Sequence, residues 1–253
     1  GAGGGVCGRL TGCGRGAWWG GAARGLGGRW GAQMNGVLVT AGGNGVGWAM
    51  GQAFAAAGFR VWVTDVEAAS LDACPAEWRK SLVDASDETQ VADLFAEINK
   101  TWGRLEAICA NAGIAGPTAA VEEIDLSDWQ RCVSVNLEGA FLAAKYGGPM
   151  LKAASGTIVL TSSTAGIYGY PNRAPYAAAK WGIIGLMKTL AMEWGPEGVR
   201  ANAMCPGAVE GPRMQGVVER EAAAKGGDAQ RIYDGYARGS AMRSRATAGD
   251  IAN

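Results

Sequence analysis

The sequence predicts an α/β fold in which a single doubly wound parallel sheet is flanked by helices. Apolar, β-branched runs alternate with helical patterns along most of the chain, which is the order of strands joined by helical crossovers. Most of these runs are continuously apolar, as strands covered on both faces should be. The first run leads through a glycine-rich turn into a helix, as the first crossover of such a sheet does.

Six segments have the length and composition of buried strands. They are Gly36–Thr40, Arg60–Thr64, Ser81–Val83, Leu105–Ala110, Thr157–Thr161 and Val199–Met204. The segment between the third and fourth carries one buried helical stripe, because its apolar residues recur at helical spacing. This stripe consists of Val91, Leu94, Phe95 and Ile98. Asp87, with Gln90 three residues later, is typical of a helix N-terminus.

Length and composition limit the classes of function. The chain has 253 residues, enough for one α/β domain. It carries 23 basic and 23 acidic residues, so no excess charge indicates a nucleic acid or an anionic membrane as a partner. No apolar run reaches the length of about 18 residues that a membrane span requires. We therefore expect neither nucleic acid nor membrane as a partner.

The residue types that are missing limit the chemistry. The chain contains no histidine, which excludes a Ser-His-Asp triad and a histidine metal site, and we expect no metal. Acid–base chemistry must therefore use tyrosine, lysine or carboxylates. The six cysteines are scattered and include no C-x-x-C pair, which indicates reduced thiols in the cytoplasm rather than a disulfide framework.

Both ends of the chain depart from the rest. Residues 1–33 alternate glycine with Arg, Trp and Ala, and they lack the continuous apolar segment of a secretory signal. We expect a disordered leader, or upstream sequence translated before a start at Met34, followed by one domain over residues 34–253. At the other end, Thr247 and Asp250 have the spacing of a helix cap. That helix has no body, so we expect a domain cut short before its last strand.

The segment Thr40–Gly47 combines a glycine-rich turn with the start of a helix. Glycines let the backbone approach a pyrophosphate, and the free N–H groups of the helix face its charge. Asp65 ends the second strand, where a carboxylate would bind ribose hydroxyls and repel a 2′-phosphate. Asn44 and Val66 are uncharged at positions where an NADP site often has a basic residue. These residues favour NAD over NADP as the cofactor.

Tyr176 and Lys180 lie four residues apart in a predicted helix, so they share one helix face. An ammonium group beside a phenol stabilises the phenolate, which makes the phenol a usable acid or base near neutral pH. Ser163 lies thirteen residues before Tyr176, just past the strand that ends at Thr161. Its hydroxyl could donate to a substrate carbonyl oxygen as negative charge develops.

Further candidate residues follow other strands. Asn111-Ala112-Gly113 closes the fourth predicted strand, and Asn136 lies in a helical segment. Pro206–Val209 forms a rigid turn after the last strand, at the sheet edge where doubly wound folds bind ligands.

In order and spacing, residues 34–253 resemble the short-chain dehydrogenase/reductase family. The resemblance implies a single Rossmann-like domain that transfers a hydride between NAD and the carbonyl or secondary alcohol of a small substrate. Each matching signature is weak alone, and together they are specific. The signatures are Thr40–Gly47, Asp65, Asp84-Ala85, Asn111-Ala112-Gly113, Asn136, Ser163, Tyr176 with Lys180, and Pro206-Gly207.

The resemblance implies roles for four catalytic residues. Tyr176 would be the general acid/base, and Lys180 would hold the nicotinamide ribose and favour the phenolate. Ser163 would orient the substrate oxygen, and Asn136 would position a water through its backbone carbonyl. Asp84 would meet the adenine, and Val209 would bond the carboxamide. The implied cofactor-binding residues are Ala41, Gly43, Asn44, Gly45, Val46, Gly47, Asp65, Asp84, Ala85, Asn111, Ala112, Gly113, Tyr176, Lys180, Pro206, Gly207 and Val209.

Two positions depart from the family pattern. Ala41 replaces the usual first glycine of the turn, where a methyl is small enough to be tolerated. Gly211 replaces a frequent threonine whose side chain contacts the nicotinamide carboxamide in the family, so the resemblance implies no such side-chain contact here. The residues after Pro206 would cap the substrate pocket, either as an apolar lid or as ordinary helix contacts. The candidate lid residues are Met214, Val217, Ile232, Tyr233 and Tyr236, and Arg213, Arg231 and Arg238 would meet an anionic substrate unless they are solvated.

Two alternative functions remain open at the level of sequence. One is an NADPH-dependent 3-oxoacyl reductase of fatty-acid synthesis, which Asp65 disfavours. The other is a catalytically silent Rossmann scaffold, which the intact Ser163, Tyr176 and Lys180 disfavour. The family resemblance also implies a homodimer or homotetramer, paired through the helices that carry Asn136 and Tyr176.

Overall fold

The computed structural model describes residues 35–253, and the predicted leader lies outside them. The strands of this part are β1 (Gly36–Thr40), β2 (Arg60–Asp65), β3 (Arg79–Leu82), β4 (Ala107–Ala110), β5 (Thr157–Thr161) and β6 (Arg200–Met204). The α-helices are α1 (Gly45–Ala56), α2 (Ala68–Asp72), α3 (Glu88–Trp102), α4 (Leu126–Val133), α5 (Gly139–Ala154), α6 (Ala174–Trp194), α7 (Pro212–Lys225), α8 (Ala229–Arg238) and α9 (Ala248–Ala252). A π-helical turn, Ser134–Glu138, joins α4 to α5.

The strands form one parallel sheet with the order β3-β2-β1-β4-β5-β6. In this order the two halves of the sheet diverge between β1 and β4, as in doubly wound dinucleotide-binding folds. The predicted α/β architecture is therefore confirmed. The divergence opens a crevice at the carboxyl ends of these two strands, which is where such folds bind ligands.

The sheet is buried on both faces, which explains why its strands are continuously apolar. Side chains of β1 alternate between two hydrophobic clusters. Val37 and Val39 pack with Met50 of α1 on one face. Leu38 packs on the other face with residues from α3, α5 and α6, including Ile98 and Ile183. The helices thus cover both sides and hold the strand ends in a fixed arrangement.

Strands β1 and β5 have the predicted bounds, whereas the edge strand β3 does not. The prediction placed this strand at Ser81–Val83, but it spans Arg79–Leu82. Its residues are partly or fully exposed, because β3 has a neighbour on one side only, and an edge strand can carry Arg79 and Lys80. The apolar criterion therefore missed its start. The fourth and last strands are also shorter than predicted, at Ala107–Ala110 and Arg200–Met204.

Helix α3 confirms the predicted amphipathic stripe. Val91, Leu94, Phe95 and Ile98 are its buried residues. The carboxylate of Asp87 accepts a hydrogen bond from the backbone N–H of Gln90, which satisfies one of the free donors of the first turn.

The predicted helix start after Thr247 is confirmed as α9. Thr247 Oγ1 accepts from the backbone N–H of Asp250 at 3.2 Å, and the Asp250 carboxylate accepts from the N–H of Thr247 at 2.8 Å. Ala252 at its end packs against the core cluster beneath α1. Within residues 35–253 no helix is long and apolar enough to cross a membrane.

Candidate active site

One large cavity opens at the carboxyl ends of the strands. Its volume is about 1370 Å³, which exceeds the range of about 300–1,000 Å³ that holds most small ligands. The turn before α1 and the ends of β2 and β4 form one side of it. The loop after β5, the start of α6 and helices α7 and α8 form the other. The cavity is therefore large enough for a dinucleotide with a substrate beside it.

The turn between β1 and α1 forms an anion cradle. Asn44, the N-cap residue, makes no side-chain hydrogen bond to the helix, so its side chain leaves the first N–H groups of α1 free to meet an anion. Gly47 packs directly on the turn, since a Cβ there would lie 2.1 Å from the Ala41 carbonyl oxygen. Glycine is thus required for this close approach. The cradle fits the pyrophosphate of a dinucleotide.

Ala41, which replaces the family's usual glycine, has a φ of 48°. This left-handed conformation costs an alanine about 1–2 kcal/mol, so the turn accommodates the methyl group under strain. We expect Ala41→Gly to raise the free energy of unfolding by about 1 kcal/mol, once the extra entropy of glycine in the unfolded chain is counted. Urea unfolding of the two proteins measures the difference.

Ala57→Gly is the matched control, because Ala57 has a φ of −82° and gains nothing from glycine. That variant should lose stability through the unfolded-state entropy alone. If Ala41→Gly were destabilised to the same degree as Ala57→Gly, the turn would not be strained.

Asp65 ends β2, with its carboxylate buried against the turn. Its Oδ2 accepts from the backbone N–H of Gly43 at 3.1 Å. Its Oδ1 accepts from the backbone N–H groups of Val66 at 2.8 Å and Glu67 at 3.2 Å. Asp65 and Glu67 both line the cavity, so two carboxylates meet a ligand at this end. Such a site favours ribose hydroxyls and opposes a phosphate.

Side chains at the ends of β1, β4 and β5 join these strands to each other. Thr40 Oγ1 accepts from the backbone N–H groups of Asn111 at 2.9 Å and Ala112 at 3.0 Å. The Asn111 amide donates to the carbonyl oxygens of Thr40 and Ala41, both at 3.2 Å. Thr161 Oγ1 donates to Asn111 Oδ1 at 3.2 Å. From the sequence Thr40 was named only as the start of the turn Thr40–Gly47, although a hydroxyl at the end of the first strand was a usable signal for these contacts.

Asp84 and Ala85 line the cavity beyond β3. The Asp84 Oδ1 atom accepts from the backbone N–H and the hydroxyl of Ser86, at 2.9 and 2.6 Å. One carboxylate oxygen therefore fixes the local turn.

Tyr176 and Lys180 lie on successive turns of α6 and both line the cavity. Lys180 is 2% exposed, and its Nζ donates to the Thr161 carbonyl oxygen at 2.8 Å. The same Nζ lies 5.6 Å from the centroid of the Tyr176 ring. The side chains that the sequence pairs by spacing are therefore neighbours in the structure.

The burial of Lys180 makes the stability of the fold depend on pH. Burial, followed by the charge of Arg213, lowers the pKa of Lys180 from 10.5 to about 7. Below about pH 7 Lys180 is protonated in both the folded and the unfolded chain, so the fold bears the full cost of burying the charge. Between about pH 7 and 10.5 only the unfolded chain is protonated, and this cost is relieved as the pH rises. The free energy of unfolding should therefore rise with pH, by at most about 1.4 kcal/mol per pH unit from this group.

The substitution Lys180→Met should remove this rise, and urea unfolding at about pH 7 and about pH 9 would measure it in both proteins. Cys109 opposes the rise above its ordinary pKa of 9.0, because burial raises the pKa of its thiol to about 12. That contribution is common to both proteins and cancels in the difference. Parallel curves for the two proteins would contradict the assignment to Lys180.

Ser163 lies at the cavity surface, whereas Asn136 is buried beneath the cavity wall. Ser163 lines the cavity after β5, and its Oγ accepts from the backbone N–H of Ala165 at 3.2 Å. Asn136 is 1% exposed and lies in the π-helical turn rather than in regular α-helix. Its amide donates to the carbonyl oxygens of Ile114 at 3.0 Å and Cys132 at 2.8 Å. The Asn136 side chain thus fixes the loop after β4 from beneath.

The structure brings most of the predicted site residues to this one cavity. Three of them, Gly43, Gly47 and Asn136, do not line it: the two glycines are buried under the turn and Asn136 under the loop after β4. They lie beneath the cavity wall, and the role of the Asn136 backbone carbonyl in holding a water stays a prediction. The predicted residues that do line the cavity are Ala41, Asn44, Gly45, Val46, Asp65, Asp84, Ala85, Asn111, Ala112, Gly113, Ser163, Tyr176, Lys180, Pro206, Gly207 and Val209.

Helices α7 and α8 supply the part of the cavity wall that lies across from α6. Of the candidate lid residues, Met214, Val217, Ile232 and Tyr236 line the cavity. Tyr233 instead packs under the Arg245 guanidinium, 3.8 Å from its ring centroid. Of the three candidate arginines, only Arg213 lines the cavity, and Arg231 and Arg238 are exposed outside it.

A hydrogen-bonded chain that the sequence did not reveal crosses this wall. The Tyr170 hydroxyl donates to the Tyr236 hydroxyl at 2.5 Å, which donates to Glu221 at 2.8 Å. Burial and these two partners raise the pKa of Tyr236 above its ordinary range. Tyr170 and Tyr236 are 66 positions apart in the sequence, so no local sequence pattern could have predicted their hydrogen bond.

Comparisons with known proteins agree with this geometry. The sequence profile described as "short chain dehydrogenase" matches residues 35–222. Levodione reductase of Leifsonia aquatica is 37% identical over 189 residues, which are 71% of this chain and 71% of that protein. Trans-4-hydroxycyclohexanecarboxylate dehydrogenase of Sinomonas cyclohexanicum is 42% identical over 136 residues, which are 53% of this chain and about half, 52%, of that protein.

The fold is also similar to solved structures. A xylitol dehydrogenase with bound NAD⁺ has a TM-score of 0.83 and 26% sequence identity, over 87% of this chain and 90% of that chain. The profile match covers most of the chain, and the predicted family and oxidoreductase class are confirmed at that level. The sheet order, the cavity and these similarities together place this chain in the short-chain dehydrogenase/reductase family.

Proposed function

We propose that this protein is an NAD-dependent dehydrogenase that interconverts a secondary alcohol and a ketone on a small cyclic substrate. The observation that carries the proposal is the shared cavity. Tyr176, Lys180 and Ser163 face it from one side, while the anion cradle before α1 and the Asp65 carboxylate face it from the other. An acid–base group and a nucleotide site thus open to the same space.

The residues of the chain divide the chemistry among them. Bound NAD would accept a hydride from the alcohol carbon or return it to the ketone. Tyr176 would take the proton from the alcohol oxygen during oxidation and return it during reduction. Ser163 would donate a hydrogen bond to that oxygen. Lys180 would hold the nicotinamide ribose and, when protonated, stabilise the Tyr176 phenolate.

The choice of NAD over NADP rests on the adenosine end of the cavity. Asp65 and Glu67 place two carboxylates there, and the exposed Val66 between them has no charge to bind a 2′-phosphate. This arrangement disfavours the alternative of an NADPH-dependent 3-oxoacyl reductase. The similarity to an NAD⁺-bound xylitol dehydrogenase also supports NAD.

The choice of a ring alcohol rests on the lid and on one relative. The side chains of Met214, Val217 and Ile232 give the substrate end an apolar wall, which suits a hydrocarbon ring. The relative that shares 42% identity is named for a hydroxycyclohexanecarboxylate. Arg213 on the same wall could meet the carboxylate of such a substrate.

The test measures NADH formation with four alcohols. They are cyclohexanol, trans-4-hydroxycyclohexanecarboxylate, the carboxamide of that acid, and an open-chain secondary alcohol with as many carbons as cyclohexanol. We expect higher kcat/KM for the ring alcohols than for the open-chain alcohol. NAD binding by calorimetry is measured in parallel. Binding without turnover of any member would favour the silent scaffold.

We also propose that the protein forms a homodimer or homotetramer through α5 and α6. Phe141 and Trp181 on these helices are 48% and 51% exposed, and apolar side chains of this size on adjoining helices favour a protein interface. Sedimentation equilibrium should give a multiple of the chain mass. A cytoplasmic location is supported by the free thiols of Cys74, Cys109, Cys132 and Cys205.

A further inference from the structure

Arg173 is a buried cation that no carboxylate neutralises within residues 35–253. It is 6% exposed, and no described residue forms an ion pair with it. Its Nη2 donates to the Ala115 carbonyl oxygen at 2.8 Å, while its Nε is buried without a hydrogen-bond partner. A guanidinium stays protonated in proteins, and a buried charge without a counter-charge costs several kcal/mol. A negative charge that develops nearby would therefore stabilise this position.

The guanidinium group of Arg173 lies against the ring of Tyr176, the proposed acid/base. Arg173 is the N-cap residue of α6 and lies three residues before Tyr176. Its carbonyl oxygen accepts from the N–H of Ala177 at 2.9 Å, so the start of the helix fixes its backbone. The guanidinium carbon lies 4.6 Å from the centroid of the Tyr176 ring and 5.8 Å from that of Tyr170.

The same side chain also fixes the loop after β4. Two adjacent carbonyl oxygens of this loop are held by two buried side chains: Ile114 by Asn136 at 3.0 Å, and Ala115 by Arg173 at 2.8 Å. Arg173 therefore has one contact with the loop after β4 and one with the ring of the proposed acid/base. This arrangement sets the position of the ring relative to the cavity wall.

We propose that Arg173 is a positioning residue for Tyr176 and that its permanent charge favours the ionised phenol during alcohol oxidation. The proposal rests on the proposed function, in which Tyr176 takes the proton of the alcohol. The phenolate is then the negative charge that Arg173 otherwise lacks. Lys180 cannot supply a constant charge at neutral pH, because burial lowers its pKa to about 7.

Other charged or titratable side chains lie near the same space and contribute to the pH dependence of kcat. Lys180 lies on the same helix as Tyr176, Arg213 comes from α7, and Tyr170 from the loop before α6. Arg131 and Cys132 come from α4, and burial raises the pKa of the Cys132 thiol. The carboxylates on this wall are engaged elsewhere: Glu210 pairs with Arg245, and Glu221 accepts from Tyr236. Replacing Arg173 leaves these residues in place, and loss of its charge raises the pKa of the Cys132 thiol further, because Arg173 lowers that pKa in the wild type.

The test is the pH dependence of kcat for alcohol oxidation in Arg173→Met and Arg173→Lys. Loss of a unit charge at this range should move the half-maximal pH upward by about one unit in Arg173→Met. Turnover near neutral pH then falls about tenfold and recovers at high pH. Arg173→Lys supplies the charge only below the pKa of its own buried amine, so its kcat should follow the wild type at low pH and Arg173→Met at high pH. Arg231→Met, an exposed arginine outside the cavity, is the control and should match the wild type.

A role in folding alone gives a different result. In that case kcat would fall by one factor at every pH in both variants, and this outcome overturns the proposal. If Arg173→Met does not fold, Arg173→Gln and Arg173→Lys carry the same comparison.

A second readout needs no substrate. The ultraviolet phenolate signal that disappears in Tyr176→Phe is titrated with and without Arg173→Lys or Arg173→Gln. Its midpoint should rise only when the charge is lost, and an unchanged midpoint in Arg173→Gln overturns the proposal. This readout separates the proposed function from the proposed role of Arg173. If the wild type oxidises no alcohol, the proposed function is contradicted, but the titration still tests the effect of Arg173 on Tyr176.

Discussion

Replacing Tyr176 with phenylalanine is expected to lower kcat about 1,000-fold or more while NAD still binds. The change removes one oxygen atom from a half-buried side chain that lines the cavity. The ring remains, with its contacts to Arg173 and Lys180. The fold and the cofactor cradle should therefore persist, while the group that exchanges the substrate proton is lost. General acid–base catalysis typically contributes about 10²–10⁴-fold to a rate, and loss of the hydrogen bond to the substrate adds to this.

The measurement is kcat with saturating NAD, together with calorimetry of NAD binding and a thermal unfolding curve. Tyr146→Phe is the matched control, because that hydroxyl lies outside the cavity and donates only to Glu88 at 2.8 Å. It should leave kcat unchanged. Turnover by Tyr176→Phe within tenfold of the wild type would assign the acid/base role to another group.

Replacing Asp65 with serine and Val66 with arginine is expected to reverse the cofactor preference. The Asp65 carboxylate lies at the end of the cavity together with Glu67, and both would repel a 2′-phosphate. Removing one of these charges relieves a repulsion of about 2–3 kcal/mol, and an added arginine supplies an attraction of similar size. We expect the ratio of kcat/KM for NADP to that for NAD to rise by about 1,000-fold or more in the double variant.

The single variants show how the effect arises. Asp65→Ser should lose affinity for NAD as well, because the carboxylate also accepts from the N–H groups of Gly43, Val66 and Glu67. Asp72→Asn removes a charge from the exposed helix α2 that follows, outside the cavity wall, and should leave the ratio unchanged. A wild type that already prefers NADP would refute the proposed role of Asp65.

The order of the elements was legible from sequence because it depends on local physics. Hydrophobic periodicity located α3, and continuous apolar runs located β1 and β5 to the residue. The edge strand β3 was misplaced, since its exposed face allows residues such as Arg79 and Lys80. The π-helical turn around Asn136 was likewise not predicted, because its side-chain bonds to Cys132 and Ile114 form only when α4 meets the loop after β4.

In the candidate site, too, the features that depend on local sequence could be predicted and those that depend on packing could not. Tyr176, Lys180, Ser163 and Asp65 could be named from the sequence, because their spacing and their places after strands are fixed along the chain. Arg173 and the chain from Tyr170 through Tyr236 to Glu221 could not. Arginine is usually exposed, and nothing in the order of residues indicates that this one is buried against the Tyr176 ring.

The sequence by itself therefore determined the sheet, the candidate cofactor turn and the candidate groups of the reaction. The tertiary structure decided which of those groups share one cavity, which residues lie beneath its wall, and which charges are buried. The physical reason is that helix and strand formation and residue spacing depend on neighbours along the chain. Burial, desolvation and the pairing of distant side chains, such as Lys180 with Thr161, depend on how the elements pack.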